Sequence, residues 1–451
     1  MRIIIQVQIA FMLVSAPLTD VVYALEALTQ TDDVGSTIVE IVIKGNDTTR
    51  QEIILQEMTI GIGDYPIPKA MDASRQAIQD LGLFKSVKLY TEQLPSGSRL
   101  VIKVKEKLYL LPLPRLKRNA DGDVKYGAQI RWNNVSGLNQ TLKITAERTE
   151  FDNETLQDKD AFRIEYLYPR FNQSIYNVDF KYEYDQTEEE FMSDPTVPVV
   201  TSLYDKDIFS AKIRLSRWWT KTGLTRGWLL GGGLAWDKIK YEYVSGFEYA
   251  PCIESVPCEA DIVEDRNLVS VLANIGYFDM HEKRYSRYGV NFGYNISYAW
   301  EKLGSDFDTA TNELFYRQYK PISDTPHRNI NTQFRFGFSN VPGNAAFDLG
   351  DSSRLRSYEN GQVSGNAYVL LNLQYLAPWP GYESFRYVVF TDIGNAYKNV
   401  RHIDLGDLES SVGIGIRWKL RSFVKTDLRL DWAYGLGSDD YKVYGSTSAM
   451  F

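Results

Sequence analysis

From residue 108 to residue 451, apolar and polar side chains alternate with a period of two, the spacing of the two faces of a β-strand. Tyr176, Val178, Phe180, Tyr182 and Tyr184 alternate with Asn177, Asp179, Lys181, Glu183 and Asp185. Val412, Ile414, Ile416, Trp418 and Leu420 alternate with Gly413, Gly415, Arg417 and Lys419, and Thr426, Leu428, Leu430, Trp432 and Tyr434 with Lys425, Asp427, Arg429 and Asp431. One face is apolar and aromatic, and the other carries charges of both signs. Period alone leaves open which face looks outward, since a soluble barrel puts its apolar face inside. Size decides it. The alternating region is far longer than the roughly 8 strands whose side chains can fill a barrel interior. A charged face too wide to pack as a core must line a wet lumen, so the apolar face must meet lipid.

The alternation divides into sixteen segments, 108–117, 123–133, 139–149, 160–170, 174–186, 205–217, 227–243, 265–279, 287–302, 311–320, 328–338, 366–377, 384–394, 409–420, 423–434 and 441–451. An even count is what a single-chain bacterial barrel requires. The long connections 187–204, 244–264 and 339–365 follow the fifth, seventh and eleventh segments, whereas the short "PGYES" and "RS" follow even-numbered ones. Long loops on one side of the membrane and short turns on the other are the barrel pattern. The expected fold is a transmembrane antiparallel β-barrel of about 16 strands over residues 107–451.

The chain start reads as an export signal. Arg2 precedes an apolar run from Ile3 to Val14, and Val22-Tyr23-Ala24 offers small residues for cleavage, so residues 1–24 are expected to be a signal peptide and 25–35 a linker. No later segment reaches the ~18 consecutive apolar residues of a spanning helix. The 30 Tyr, 21 Phe and 9 Trp suit aromatic girdles, and the 24% of charged residues suits a polar lumen. A net charge of −8 without a basic stripe argues against nucleic acid. Cys252 and Cys258, the 2 cysteines, fall in one outer loop of an exported chain and are expected to form a local disulfide. His281, His327 and His402 stand far apart with no ligand-like spacing, so neither a metal nor another cofactor is expected.

Residues 36–106 follow a different pattern. Val39, Ile41 and Ile43 alternate before a Gly45-Asn46 turn; a helix capped by Asp47 or Thr48 then carries Ile53, Ile54 and Met58. Pro68 suits the start of a second helix bearing Met71, Ser74, Ile78 and Leu81, which Gly82 stops. A hairpin follows, with Val87 and Leu89 in one strand, Leu100, Ile102 and Val104 in the other, and Pro95-Ser96-Gly97 between them. This β-α-α-β-β order, with "KGNDTT" after the first strand and "LGLFKSVKL" after the second helix, closely resembles a polypeptide-transport-associated (POTRA) domain.

Loop 339–365 contains "DSSRLRSYENG". Leu355-Arg356-Ser357-Tyr358 resembles the Arg-Gly-aromatic motif that the outer-membrane assembly factor superfamily of BamA and TamA carries in its sixth outer loop. Phe390-Thr391-Asp392-Ile393-Gly394, in the thirteenth segment, matches that superfamily's partner strand, Phe-x-Asp-x-Gly. The resemblance implies that Arg356 and Tyr358 fold into the lumen, with Arg356 tied to Asp392 between Phe390 and Gly394. Two positions depart from the pattern: Ser357 replaces Gly, and Gln374 stands where many relatives place a second acid on the twelfth strand. The terminal Phe451 fits the aromatic ending of such barrels.

The resemblance covers residues 36–451 and implies insertion or translocation of substrate polypeptides at the outer membrane, with the N-terminal domain in the periplasm. Unfolded or partly folded polypeptides, outer-membrane lipid and accessory periplasmic subunits are the implied partners. Ser86–Thr91 could receive an extended peptide by β-augmentation, guarded by Lys85 and Lys88. Pro112 and Pro114 in the first strand cannot donate to a ladder, which points to a weak seam against the terminal strand and a gate there. The alternative is a dedicated secretion channel or pore for one partner protein. With no nucleophile motif, no lipase-like domain and no recognisable Ser/His/Asp constellation, no enzymatic activity is expected.

Overall fold

A computed structural model of the chain describes residues 36–118, 124–151, 157–192, 201–219, 226–245, 265–322, 325–342, 345–358, 362–424, 426–438 and 440–446. The signal segment 1–24, the linker 25–35, Cys252, Cys258 and Phe451 lie outside the described residues.

The N-terminal unit is a three-stranded sheet of Ile38–Lys44, Phe84–Leu94 and Gly97–Glu106. The last strand sits in the middle, parallel to the first and antiparallel to the second. Helices Gln51–Leu55 and Pro68–Asp80 lay Ile53, Ile54 and Ile78 on Phe84, Ile102 and Val104. Pro68 sits in the first turn, where a missing N–H costs nothing, and Gly82 follows the helix at φ +76°. The cap of the first helix differs from the sequence expectation. The helix starts at Gln51 with Arg50 as N-cap, and no side chain caps it. The N–H groups of Thr48 and Thr49, just ahead of the helix, donate to the Glu106 carboxylate at 3.0 and 2.7 Å, which pins the chain entering the helix to the end of the middle strand.

The rest of the chain forms one 16-stranded antiparallel sheet in which chain order is sheet order. Its strands are Leu110–Arg118, Val124–Val135, Gln140–Glu150, Lys159–Tyr168, Tyr176–Met192, Thr201–Trp219, Gly227–Ser245, Arg266–Glu282, Arg287–Ala299, Thr309–Pro321, Asn329–Ser339, Ala367–Trp379, Tyr382–Tyr397, Glu409–Lys419, Asp427–Gly435 and Tyr441–Ser446. Each corresponds to one of the sixteen segments. The faces are inside out relative to a soluble protein. Ile213, Val389, Ile414 and Leu430 are half-exposed on the outer surface, while Asn372, Asp392 and Asp431 are fully buried on the inner one. Boiled and unboiled samples of the folded protein are expected to migrate differently in a detergent gel, because the hydrogen-bonded sheet resists the detergent until heated. Equal migration together with recovery in the soluble fraction would count against this fold.

The expected loop 187–204 is shorter than its polar composition suggests. Strands five and six stay paired out to Met192 and Thr201. Where both faces of a strand meet water, nothing forces alternation, yet the backbone groups still pair, so the ladder outruns its sequence signal.

Pro112 and Pro114 lie inside the first strand, opposite Ile130 and Ala128. Asn133 N–H donates to the Tyr109 carbonyl at 2.8 Å, which fixes the parity of that edge. Odd residues of the first strand therefore address the second strand, and Leu110, Pro112 and Pro114 address the opposite side. On that side Leu108 N–H donates to the Ser422 carbonyl at 2.6 Å and Leu108 bridges Phe423, so the sheet curls until its start meets the turn between strands fourteen and fifteen. Among the described residues no ladder joins the first strand to the sixteenth.

The N-terminal unit spans the short-turn mouth of the sheet. On one side Asp80, at the end of the second helix, meets His281 Nδ1 and Glu282 N–H at 2.9 Å each and Arg226 at 3.6 Å. On the other, Arg421 donates to the Lys85 carbonyl at 3.3 Å, and Val424 enters the small hydrophobic core. Arg170 reaches Glu57 at 3.2 Å, and Arg50 N–H donates to the Gly137 carbonyl at 3.0 Å.

Candidate functional site: the loop anchor in the lumen

The long loop after the eleventh strand turns inward. Phe347–Asp348 pairs with Ser364–Gly365, and Leu349 N–H donates to the Val363 carbonyl, closing the loop on itself. Leu349 and Leu355 are fully buried with Phe347, Tyr358, Val363, Tyr368 and Leu370, so the loop carries its own small apolar core into a polar lumen. Burying this cluster gives the loop a reason to stay folded inside even before any charge is paired.

Arg356 is the tip of this structure and has no exposure to solvent. Its Nε and Nη2 donate to the two oxygens of Asp392 at 2.6 Å each, a bidentate fork, and Nη1 donates to Asp431 at 3.1 Å. The guanidinium carbon lies 3.2 Å from the centre of the Phe390 ring, stacked upon it. Asp392 also accepts from Asn372 Nδ2 at 2.8 Å and Ser411 Oγ at 3.4 Å. Asp431 is shared with Arg417 and Arg429. Tyr358 Oη donates to Glu409 at 2.7 Å, which ties the loop a second time.

Ser357, which stands where the motif has glycine, adopts φ +82°. This left-handed backbone is what the glycine would supply without strain. The serine hydroxyl donates to the Asp440 carbonyl at 2.6 Å, and its N–H donates to Tyr444 Oη at 2.9 Å. Those two bonds offset the cost of the conformation. Gly394 is needed for space, since a Cβ there would stand 2.5 Å from the Val369 carbonyl oxygen.

The structure thus brings together Arg356, Tyr358, Phe390, Asp392 and Gly394. It leaves Gln374 outside the anchor, where Asn372 occupies the inward position beside Asp392. The second acid comes instead from Asp431 on the fifteenth strand, which the sequence reading did not assign to the motif. A signal for it existed. Gly413 and Gly415 leave a gap in the inner face of strand fourteen, and Cβ atoms there would stand 2.2 Å from the Phe390 ring and 2.1 Å from Asp431 Oδ1. Two glycines at lumen positions mark where neighbouring strands place large side chains.

A β-sheet of this size with an apolar outer face, a charged inner face and a loop tied within it defines an outer-membrane barrel with a plugged lumen. The chain matches the Omp85 superfamily domain over residues 134–445, and on that match it belongs to the Omp85 superfamily. Residues 36–107 match the POTRA family, described as the surface antigen variable number repeat. No curated relative matches the chain in sequence. Among solved structures it is similar to BamA from Haemophilus ducreyi lacking POTRA domains 1–3, with a TM-score of 0.51 and 15% identity over 91% of this chain and 84% of that one. It is also similar to CdiB from Acinetobacter baumannii, with a TM-score of 0.56 and 15% identity over 91% of this chain and 73% of that one. CdiB from Escherichia coli gives a TM-score of 0.59 and 13% identity over 92% and 75%. At these identities the likeness is one of fold. Membership of the superfamily assigns the chain, in general terms, to polypeptide insertion or translocation at the outer membrane.

Proposed function

We propose that this protein inserts substrate polypeptides into the outer membrane, receiving them on a periplasmic POTRA domain and passing them through the seam between its first and last strands. The observation that carries the reading is the loop anchor. With Arg356 fully buried and the loop's apolar cluster folded into the lumen, the wall is a better route than an open bore. Ser86–Thr91 supports the receiving step. It lies on an edge strand whose outer side, past the Lys85 carbonyl, makes no backbone bond among the described residues, so an extended peptide could extend the sheet there.

One observation favours a dedicated secretion channel as the second reading. A cavity of about 540 Å³ lies between the POTRA domain and the lumen mouth, lined by Glu57, Asp80, Trp218, Arg226 and Arg317 among others. It would lead a chain from the domain toward the lumen. Depleting the protein and comparing outer-membrane proteomes separates the two. Loss of many barrels is expected for insertion, and loss of one exported protein would replace that reading with the second. An unchanged proteome would sink both.

A further inference from the structure

Between the loop anchor and the short-turn rim lies a second, smaller cavity of about 40 Å³. Four cations line it, Arg287, Arg386, Arg417 and Lys419, against one carboxylate, Asp427. Three of the cations are accounted for. Arg287 and Lys419 share Glu282 at 2.7 and 2.9 Å, and Arg417 is held by Asp431. Arg386 is not. It is 8% exposed, and its guanidinium bonds only the Asn329 amide oxygen, at 3.2 Å, with no ion pair among the described residues. Asp427 faces it across the cavity as the nearby counter-charge but forms no ion pair with it, and a buried guanidinium, which cannot give up its proton, is left short of bonded acceptors.

We propose that this cavity is a binding site for a small oxyanion of the phosphate or carboxylate class, with Arg386 as its principal ligand. Size and geometry agree. One water needs roughly 10–15 Å³ of such space, so the cavity admits a small ion and excludes a peptide. The planar fork of Arg386 suits two oxygens of one anion, and Arg287, Arg417 and Lys419 supply the remaining field. Asp427 faces the same space, and its Oδ1 is buried without a hydrogen-bond partner among the described residues. It therefore opposes the anion and holds the affinity down. Arg417 joins the site to the loop anchor, because its partner Asp431 also takes Arg356. The inference stands whether the barrel inserts or secretes its substrates.

The probe is inorganic phosphate, titrated into the full chain folded in detergent micelles at constant ionic strength. Calorimetry and melting temperature are the readouts. Saturable binding with a rise in melting temperature is expected. Arg386→Gln should weaken it about tenfold or more, and Arg386→Lys should restore only part, since a point charge lacks the fork. Asp427→Asn should tighten it several-fold by removing a like charge. The heat-dependent gel shift checks that each variant folds. Should Arg386→Gln fail to fold, Asp427→Asn still decides the matter. Unsaturable binding, equal affinity in Arg386→Gln, or no gain in Asp427→Asn would overturn the site.

Discussion

In Arg356→Ala the long loop should leave the lumen, becoming a protease target around Arg354 and Tyr358 in a barrel that still runs as folded. The size of the effect follows from what remains. Asp431 keeps Arg417 and Arg429, so it stays neutralised. Asp392 keeps Asn372, Ser411 and the long 3.3 Å bond from the main-chain N–H of residue 356, all neutral, at a position with no solvent exposure. Removing one partner of a buried pair costs about 3–5 kcal/mol, chiefly for the charge left behind. The sixteen-strand ladder does not depend on that pair, so the cost is met by opening the loop and letting water reach Asp392. Activity should fall with loop closure. Arg356→Lys should rescue poorly, because an ammonium cannot bond both Asp392 oxygens, reach Asp431 and stack on Phe390 together. Adding Asp392→Asn to Arg356→Ala should recover much of the loss, since the orphan charge is gone. Unchanged proteolysis of residues 339–365 and unchanged activity in Arg356→Ala would show that the pair does not hold the loop.

The parts of this fold that were legible in the sequence are those that a membrane enforces. Lipid demands apolar residues at every second position, so all sixteen strands show in the pattern, and their number and loop lengths give the topology. Legibility ends where lipid ends, as Thr187–Met192 shows: the strand runs on through acidic residues whose sequence reads as loop. The anchor was partly legible. Arg356 and Asp392 sit in recognisable local phrases, but Asp431 belongs to the site only through register. It faces Gly415 across strands fourteen and fifteen, and no local feature of "LRLDWAY" distinguishes it from other lumen acids. The bonds from Thr48 and Thr49 to Glu106 were hidden for the same reason, as the two segments meet only after the sheet forms. Arg386 and its cavity depend on strands nine to fifteen together, a relation that periodicity does not carry.

The same register argument gives the seam its expected behaviour. Oxidising cysteine pairs placed between residues 108–117 and 441–446 should abolish substrate handling, and reductant should restore it, in a background where Cys252 and Cys258 are replaced by serine. Barrel closure requires the edge of the first strand that carries Leu110, Pro112 and Pro114 to meet the sixteenth strand. Two of those positions have no N–H to give. In lipid an unmade backbone bond is not replaced by water, so each missing donor leaves a carbonyl opposite it unserved and the contact weaker than any other in the ring. The facing strand adds little. Over its described residues, Tyr441–Ser446, a Cβ at Gly445 would meet nothing within 4 Å. Every other junction between neighbouring strands is a hydrogen-bonded ladder among the described residues, so an opening driven by a competing substrate strand should occur here first. Replacing Pro112 and Pro114 with valine should slow handling even without a crosslink, because the restored donors strengthen the seam by about 0.5–1.5 kcal/mol per bond. A barrel locked by crosslinks at several seam positions that still handled its substrate at the normal rate would rule the gate out and leave the lumen, with its loop displaced, as the route.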